Sequence, residues 1–242
     1  MRYASSTNIG KRRRNEDCFY IPPAGSIPLV IVADGMGGHS AGDVASSMAV
    51  KVIVSEIEKG DLNAPEQLIR NAINKANRAM FEHAEVHTEC GGMGSTVILA
   101  LLFRNRFLAA NIGDSRLYHY DGRSLSQVSI DHTFVREMIA SGEITKEQAL
   151  HHPQRNVITR ALGTRRYENA DLFERDWNKG DILLLCSDGL YETLDDNYIL
   201  DMLSCGGDIQ EICETLINEA ILRGSSDNVT AVLAVNEGGG GI

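Results

Sequence analysis

The sequence has no C-x-x-C pair, and its five cysteines, Cys18, Cys90, Cys186, Cys205 and Cys213, are odd in number. That composition argues against a disulfide framework and suits free thiols in a reducing compartment. None of the five has an arginine six residues on, so no thiolate loop for holding a phosphate is present. A surplus of basic residues is also missing. With 33 acidic against 23 basic side chains the net charge is −10, which disfavours broad binding to nucleic acid or anionic membranes. The longest apolar run, 97–103, cannot span a bilayer, and the opening MRYASSTNIG holds no apolar core for a signal peptide. A cytoplasmic protein, neither membrane-bound nor nucleic-acid-bound, is the expectation.

There are no internal repeats, and the one low-complexity stretch is the glycine-rich tail at 238–242. Residues 1–237 therefore read as a single domain. Strand-like runs rich in Val, Ile and Leu occupy 29–33, 95–103, 107–112, 115–120, 181–186 and 229–235. "YHYDGRSL" carries the Asp-Gly pair of a tight hairpin at Asp121-Gly122. Helical spacing places Val44, Met48, Val52 and Ile57 on one stripe, and Leu68, Ile69, Ala72, Ile73, Ala76 and Met80 on a second. A third helix starts at an Asp208 cap, runs through Ile209, Ile212, Cys213, Leu216, Ile217 and Ala220, and stops at Gly224. Between 131 and 163 two short helices are expected, 133–140 and 145–151, the second with a Thr145/Gln148 capping box. Grouped strands and paired helices predict a layered α+β domain rather than βαβ units.

The stretch "LVIVADGMGGHSAG", residues 29–42, ends an apolar run on Asp34 and follows it with four glycines. It is not a dinucleotide fingerprint, because position 40 is Ser where Gly is needed. It is not a Walker loop either, because Asp43 stands where Lys is required. A calcium hand needs acidic residues two apart, and Asp34 is followed by Gly35, Met36, Gly37 and Gly38. The same pattern returns elsewhere: "FLAANIGDSR" ends on Asp114, "DILLLCSDG" on Asp188, and Asp227 immediately precedes the run 229–235. One such aspartate is ordinarily a turn residue or a cap. Four of them, each abutting an apolar run, point to carboxylates gathered at one edge of a sheet layer. Such a group needs a cation to offset its repulsion, and an all-oxygen set selects Mg²⁺ or Mn²⁺.

In these residues the chain resembles the metal-dependent Ser/Thr protein phosphatases of type 2C in their bacterial form. The resemblance runs through "RRRNEDCFY", "VADGMGGHSAGDVAS", "GMGSTV", "IGDSRLY", "DHTFV", "HPQRNVITRALG", "LLLCSDGL" and "SDNVTAV", in family order. It implies a four-layer α-β-β-α sandwich of two stacked antiparallel sheets flanked by helix pairs, with a flap at about 131–166. It also implies that Asp34 bridges two metal ions, that Gly35 offers its carbonyl to the second, and that Asp188 and Asp227 complete the first. Glu16 would reach a metal through water, and Asp114 with Asp188 would hold a third, weaker ion. Arg12 would hold the substrate phosphate, with Arg13 as the competing assignment because the Gly10-to-Asp17 spacing is short. Eukaryotic members often carry a His after the Asp-Gly pair, where this chain has Met36. The general acid stays open, with His39 a bystander in the same loop and His132, His151 and His152 in the flap region.

The implied mechanism is attack on phosphorus by a water shared between two ions, its pKa lowered from ~15.7 toward ~7. The implied substrates are phosphoserine and phosphothreonine on proteins, so the expected partners are phosphoproteins and a cognate Ser/Thr kinase, with the enzyme a monomer. Two rival readings are a two-metal phosphohydrolase of small phosphate esters and a phosphatase-like binding module that has lost its metals.

Overall fold

A computed structural model describes residues 1–37 and 41–238. In chain order the strands and helices are β1 (Arg2–Asn8), β2 (Asp17–Tyr20), β3 (Leu29–Met36), α1 (Ala41–Lys59), α2 (Pro65–Val86), β4 (Gly94–Ser95), β5 (Val97–Leu102), β6 (Arg106–Ile112) and β7 (Arg116–Tyr120). They continue as β8 (Leu125–Gln127), α3 (Phe134–Ala140), α4 (Lys146–Leu150), β9 (Asp171–Asp176), β10 (Ile182–Cys186), α5 (Asp188–Tyr191), α6 (Asp196–Ser204), α7 (Ile209–Leu222) and β11 (Val229–Val235). One antiparallel sheet has the order β1-β11-β10-β7-β8, and the other β2-β3-β5-β6-β9 with β4 added against β3. No helix among the described residues is long and apolar enough to cross a membrane.

The runs "LVIVA", "VILALL" and "ILLLC" are apolar at every position because both faces of their strands are buried. Successive strand side chains point to opposite faces. Leu29, Ile31 and Ala33 therefore pack with Ile53, Ile57, Ile73 and Met80 of α1 and α2. The alternate residues Val30 and Val32 pack between the sheets with Leu183, Leu185, Val232 and Ala234. On the far side, Leu184 and Cys186 join Ala231 and Leu233 against Leu216 and Ile217 of α7. Three apolar interlayers thus separate four layers, which is the expected α+β sandwich. Trp177, fully buried between the sheets, donates from Nε1 to the Phe103 carbonyl (2.9 Å).

Most expected elements form, with one correction in packing. Of the stripe expected on α1, Ile57 is buried and Met48 and Val52 pack half-buried at the margin of the core, but Val44 is exposed, and the fully buried face carries Ala45, Ala49, Val50, Ile53 and Ile57. Small residues let this helix approach β3 closely, and a stripe built from alanines gives little apolar contrast. The elements not expected, β1, β2, β8, β9 and α6, are short or lie at or beside sheet edges, where one face meets solvent. The glycine tail from 239 on lies outside the described residues.

Asn77 ties α2 to the end of the 131–163 segment. It is buried, its Oδ1 accepts from the Gly163 N–H (2.8 Å), and its Nδ2 donates to the Arg165 carbonyl (3.0 Å). Asn77→Ala leaves a buried N–H without an acceptor and is expected to cost about 1–3 kcal/mol. A urea unfolding midpoint indistinguishable from that of the parent protein would contradict this role.

Candidate metal centre

Asp34 lies near the end of β3, and antiparallel register sets Asp17, the first residue of β2, directly opposite it. Asp188 follows the end of β10, Asp227 precedes β11, and Asp114 sits in the turn from β6 to β7. Because every neighbour runs antiparallel, these five positions fall at one common edge of the two sheets. The backbone there is pinned. The Asp34 N–H donates to Thr96 Oγ1 (2.9 Å), the Thr96 N–H donates to the Asp34 carbonyl (2.8 Å), and Thr96 shares a hydrogen bond with Ser115 (2.7 Å). Ser187 accepts from the Thr230 N–H (3.0 Å) and donates to Asp17 Oδ2 (2.7 Å).

The N-terminal loop closes over this edge through Asn228. Its Nδ2 donates to the carbonyls of Ile9 and Arg14 (2.9 Å each), and its Oδ1 accepts from the Glu16 N–H (2.7 Å). Arg12 is thereby brought to Asp227, with Nη2 to Oδ2 at 2.6 Å, while its side chain stays 56% exposed. Arg13 makes no ion pair among the described residues, and Arg14 reaches Asp43 (3.3 Å). The close packing explains Gly35: a Cβ there would lie 1.9 Å from the Gly42 carbonyl oxygen and 2.8 Å from that of Glu16. The glycine is needed for the approach of α1 and β2.

Burial is the first cause of every carboxylate shift at this edge. It raises Asp34 well above the ordinary range, reinforced by Asp17, Asp188, Asp114 and Asp227. Burial also raises Asp188 well above that range, with Asp114 and Asp227 adding to it. Asp17 is pushed up to about 6 despite hydrogen bonds from Ser187 and Thr230. Asp114 is pushed up to about 7, and Asp131 is its strongest charged neighbour. Glu16 is raised by burial and held back by Arg12.

Two oxygens test whether a cation fits. Asp17 Oδ1 and Asp188 Oδ1 are buried without a hydrogen-bond partner among the described residues. A buried carboxylate oxygen left so is costly unless a cation meets it. The donors are all oxygen, which suits a hard divalent ion. Among the described residues no three His, Cys, Asp or Glu side chains already converge on one point, and the cation in contact with Asp227 is Arg12. The edge fits a divalent cation in chemistry.

Structure thus brings together Asp34, Asp114, Asp188, Asp227, Glu16 and Arg12, and adds Asp17 and Asn228, to which sequence reasoning gave no role. The signal for Asp17 was the acidic pair Glu16-Asp17 at a strand start, but its partnership with Asp34 is a matter of register. His132 does not reach outward. Its Nδ1 accepts from the Gly113 N–H (3.0 Å), and Nε2 meets Asp171 Oδ2 (3.1 Å) and Arg160 Nη1 (2.8 Å). Arg160 donates to Asp171 Oδ1 (3.0 Å) and Glu168 (3.1 Å), locking the ring in place beside Asp114. His39 lies outside the described residues, and half-buried Met36 packs toward Gly94.

The protein phosphatase 2C family matches residues 6–224, and the chain belongs to that family of serine/threonine protein phosphatases. A serine/threonine phosphatase of Listeria welshimeri is 38% identical over 210 residues, covering 85% of this chain and 83% of the relative. A solved bacterial serine phosphatase is 38% identical, with a TM-score of 0.92 and 99% of both chains covered. The catalytic domain of the phosphatase PstP, solved in complex with two manganese ions, is 35% identical, with a TM-score of 0.86 and 97% of both chains covered.

The shifts of Asp17 and Asp114 set a pH dependence. Each binds its proton more tightly folded than unfolded, so its contribution is fully present below about pH 3.8 and is lost as pH rises through about 6 and about 7. In EDTA the melting temperature is expected to rise as pH falls from about 7.5 to about 5.5, less so in Asp114→Asn. Mn²⁺ at the higher pH should remove the deficit. An equal pH slope in EDTA for parent and variant would show that these carboxylates do not carry the strain.

Proposed function

We propose that this chain hydrolyses phosphoserine and phosphothreonine esters on proteins with divalent cations held at the sheet edge, reversing a Ser/Thr kinase in the cytoplasm. The observation that carries the reading is the buried carboxylate group with its two unpartnered oxygens. Asp34, Asp17, Asp188 and Asp227 would hold the principal ions, with the Gly35 carbonyl on the second. Asp114 is beside Asp188 and would serve a third ion, and Glu16 would act at the rim through water. Mn²⁺ or Mg²⁺ bound there supplies positive charge against the carboxylates and makes hydroxide available at neutral pH.

The chain's own residues do the rest. Asp34 is fixed from both sides of its peptide by Thr96, so its carboxylate is presented without reorganisation. Arg12 is half out in solvent and ends at the same carboxylate group. Its planar fork can leave Asp227 for two phosphoryl oxygens as the ester enters. Arg13, unpaired and exposed, has no such anchor and is the control. Five free cysteines agree with a reducing compartment.

Hydrolysis of a phosphothreonine peptide should stop in EDTA and return with Mn²⁺ or Mg²⁺. Asp34→Asn should lower kcat by at least ~10³ with an unchanged circular dichroism spectrum. Turnover after exhaustive chelation, or a variant within tenfold of the parent, would rule out the reading. Faster hydrolysis of small esters than of every phosphopeptide would favour the small-ester alternative.

Arg12→Ala should cost about 1.5–3 kcal/mol in kcat/KM, mostly through KM, with Mn²⁺ affinity retained. A larger defect in Arg13→Ala would transfer the phosphate contact to that residue.

A further inference from the structure

A cavity of about 1100 Å³ opens between the 131–163 segment and the sheets. Its lining includes Asp114, Tyr191, Glu192 and Asp196, so it reaches the carboxylate edge through Asp114. Its lining also carries Arg136, Lys146, Arg155 and Arg175. These four cations are exposed, and none has a carboxylate within ion-pair distance among the described residues. By contrast Arg116 is bound to Asp131 (2.7 Å) and lies 3.6 Å over the Tyr191 ring. Two of the exposed large apolar side chains, Ile130 at 44% and Leu150 at 70%, line the same space.

In a chain of net charge −10, this cavity is lined by five cations and four carboxylates, and four of the cations are exposed with no carboxylate partner among the described residues. Arg175 lies on β9, and the segment that carries the other three is held to the body where Leu162 bridges Ser95 and His132 Nδ1 accepts from the Gly113 N–H. The wall is therefore a fixed feature rather than a loose arm. A phosphorylated side chain placed at the carboxylate edge would leave its flanking residues along this space, which holds several residues.

Resting on the phosphatase reading, we propose that this cavity is the docking cleft for the polypeptide flanking the phosphorylated residue, and that its cationic wall selects acidic side chains there. The lining also supplies apolar contact through Val128, Val135 and Phe173. The favoured substrate is then a phosphoserine or phosphothreonine in an acidic stretch, including one with a second phosphate. A basic flank meets like charge at the wall, so discrimination comes from repulsion as well as attraction. Exposed pairs are worth up to about fivefold each, so several together should give roughly a tenfold preference that shrinks with salt.

The test uses three phosphothreonine peptides of equal length with glutamate, alanine or lysine flanks, and the full chain with Mn²⁺. The quantity read is the kcat/KM ratio of the acidic to the basic peptide within each protein. The parent should prefer the acidic peptide roughly tenfold at low salt. The charge reversal Arg155→Glu with Arg175→Glu should bring the ratio to one or below, while Lys51→Glu with Lys59→Glu, on α1 and outside the cavity lining, should leave it. Equal rates on acidic and basic peptides in the parent, or a preference that survives the first reversal, would overturn the cleft while the alanine peptide still reports phosphatase activity. Absence of turnover on all three peptides would instead overturn the phosphatase reading together with its cleft.

Discussion

Like charges buried together set the terms for this molecule. Asp17, Asp34, Asp114 and Asp188 are drawn from separate parts of the chain into one poorly solvated edge, and the other three all raise the proton affinity of Asp34. Folding must hold them there against both desolvation and mutual repulsion. The fold supplies three apolar interlayers on either side of and between the sheets, and the carboxylates occupy the end where the layers stop. Stability is invested in the layers and released at the edge, where a cation would recover it.

The hydroxyls and amides around the carboxylates form a supporting frame. Thr96 holds the Asp34 peptide, Ser187 holds Asp17, and Asn228 holds three points of the N-terminal loop at once. None of these groups carries charge, so the frame fixes direction without adding to the repulsion. On the other flank, the His132–Asp171–Arg160 network fixes the turn that carries Asp114. An uncharged His132 belongs in that role, since burial lowers its proton affinity.

Much of this was legible in the sequence because chemistry and periodicity left separate marks. Doubly buried strands wrote themselves as unbroken apolar runs, and aspartates at their ends stood out against those runs. Asp17 was not legible as part of the site. Its strand is short and half-buried, and only the register of β2 on β3 sets it opposite Asp34. The face of α1 was misjudged because alanines pack closely yet barely differ from their surroundings in hydropathy. The cationic wall was hidden for another reason. Its four residues are scattered from 136 to 175 in a chain whose overall sign is negative, and only the placement of α3, α4 and β9 collects them.

The pairing of β1 with β11 has a consequence for how the protein comes into being. Residues 2–8 lie along residues 229–235, and the loop that carries Arg12 is fastened by Asn228. The N-terminal contributors to the edge therefore wait for β11, which is made after every other strand and helix described. Until that strand leaves the ribosome, the first sheet lacks the member between β1 and β10, and Arg12 has no anchor. Such distant closure is slow relative to local helix formation. A nascent or prematurely terminated chain can contain nearly every other element and still have no assembled centre.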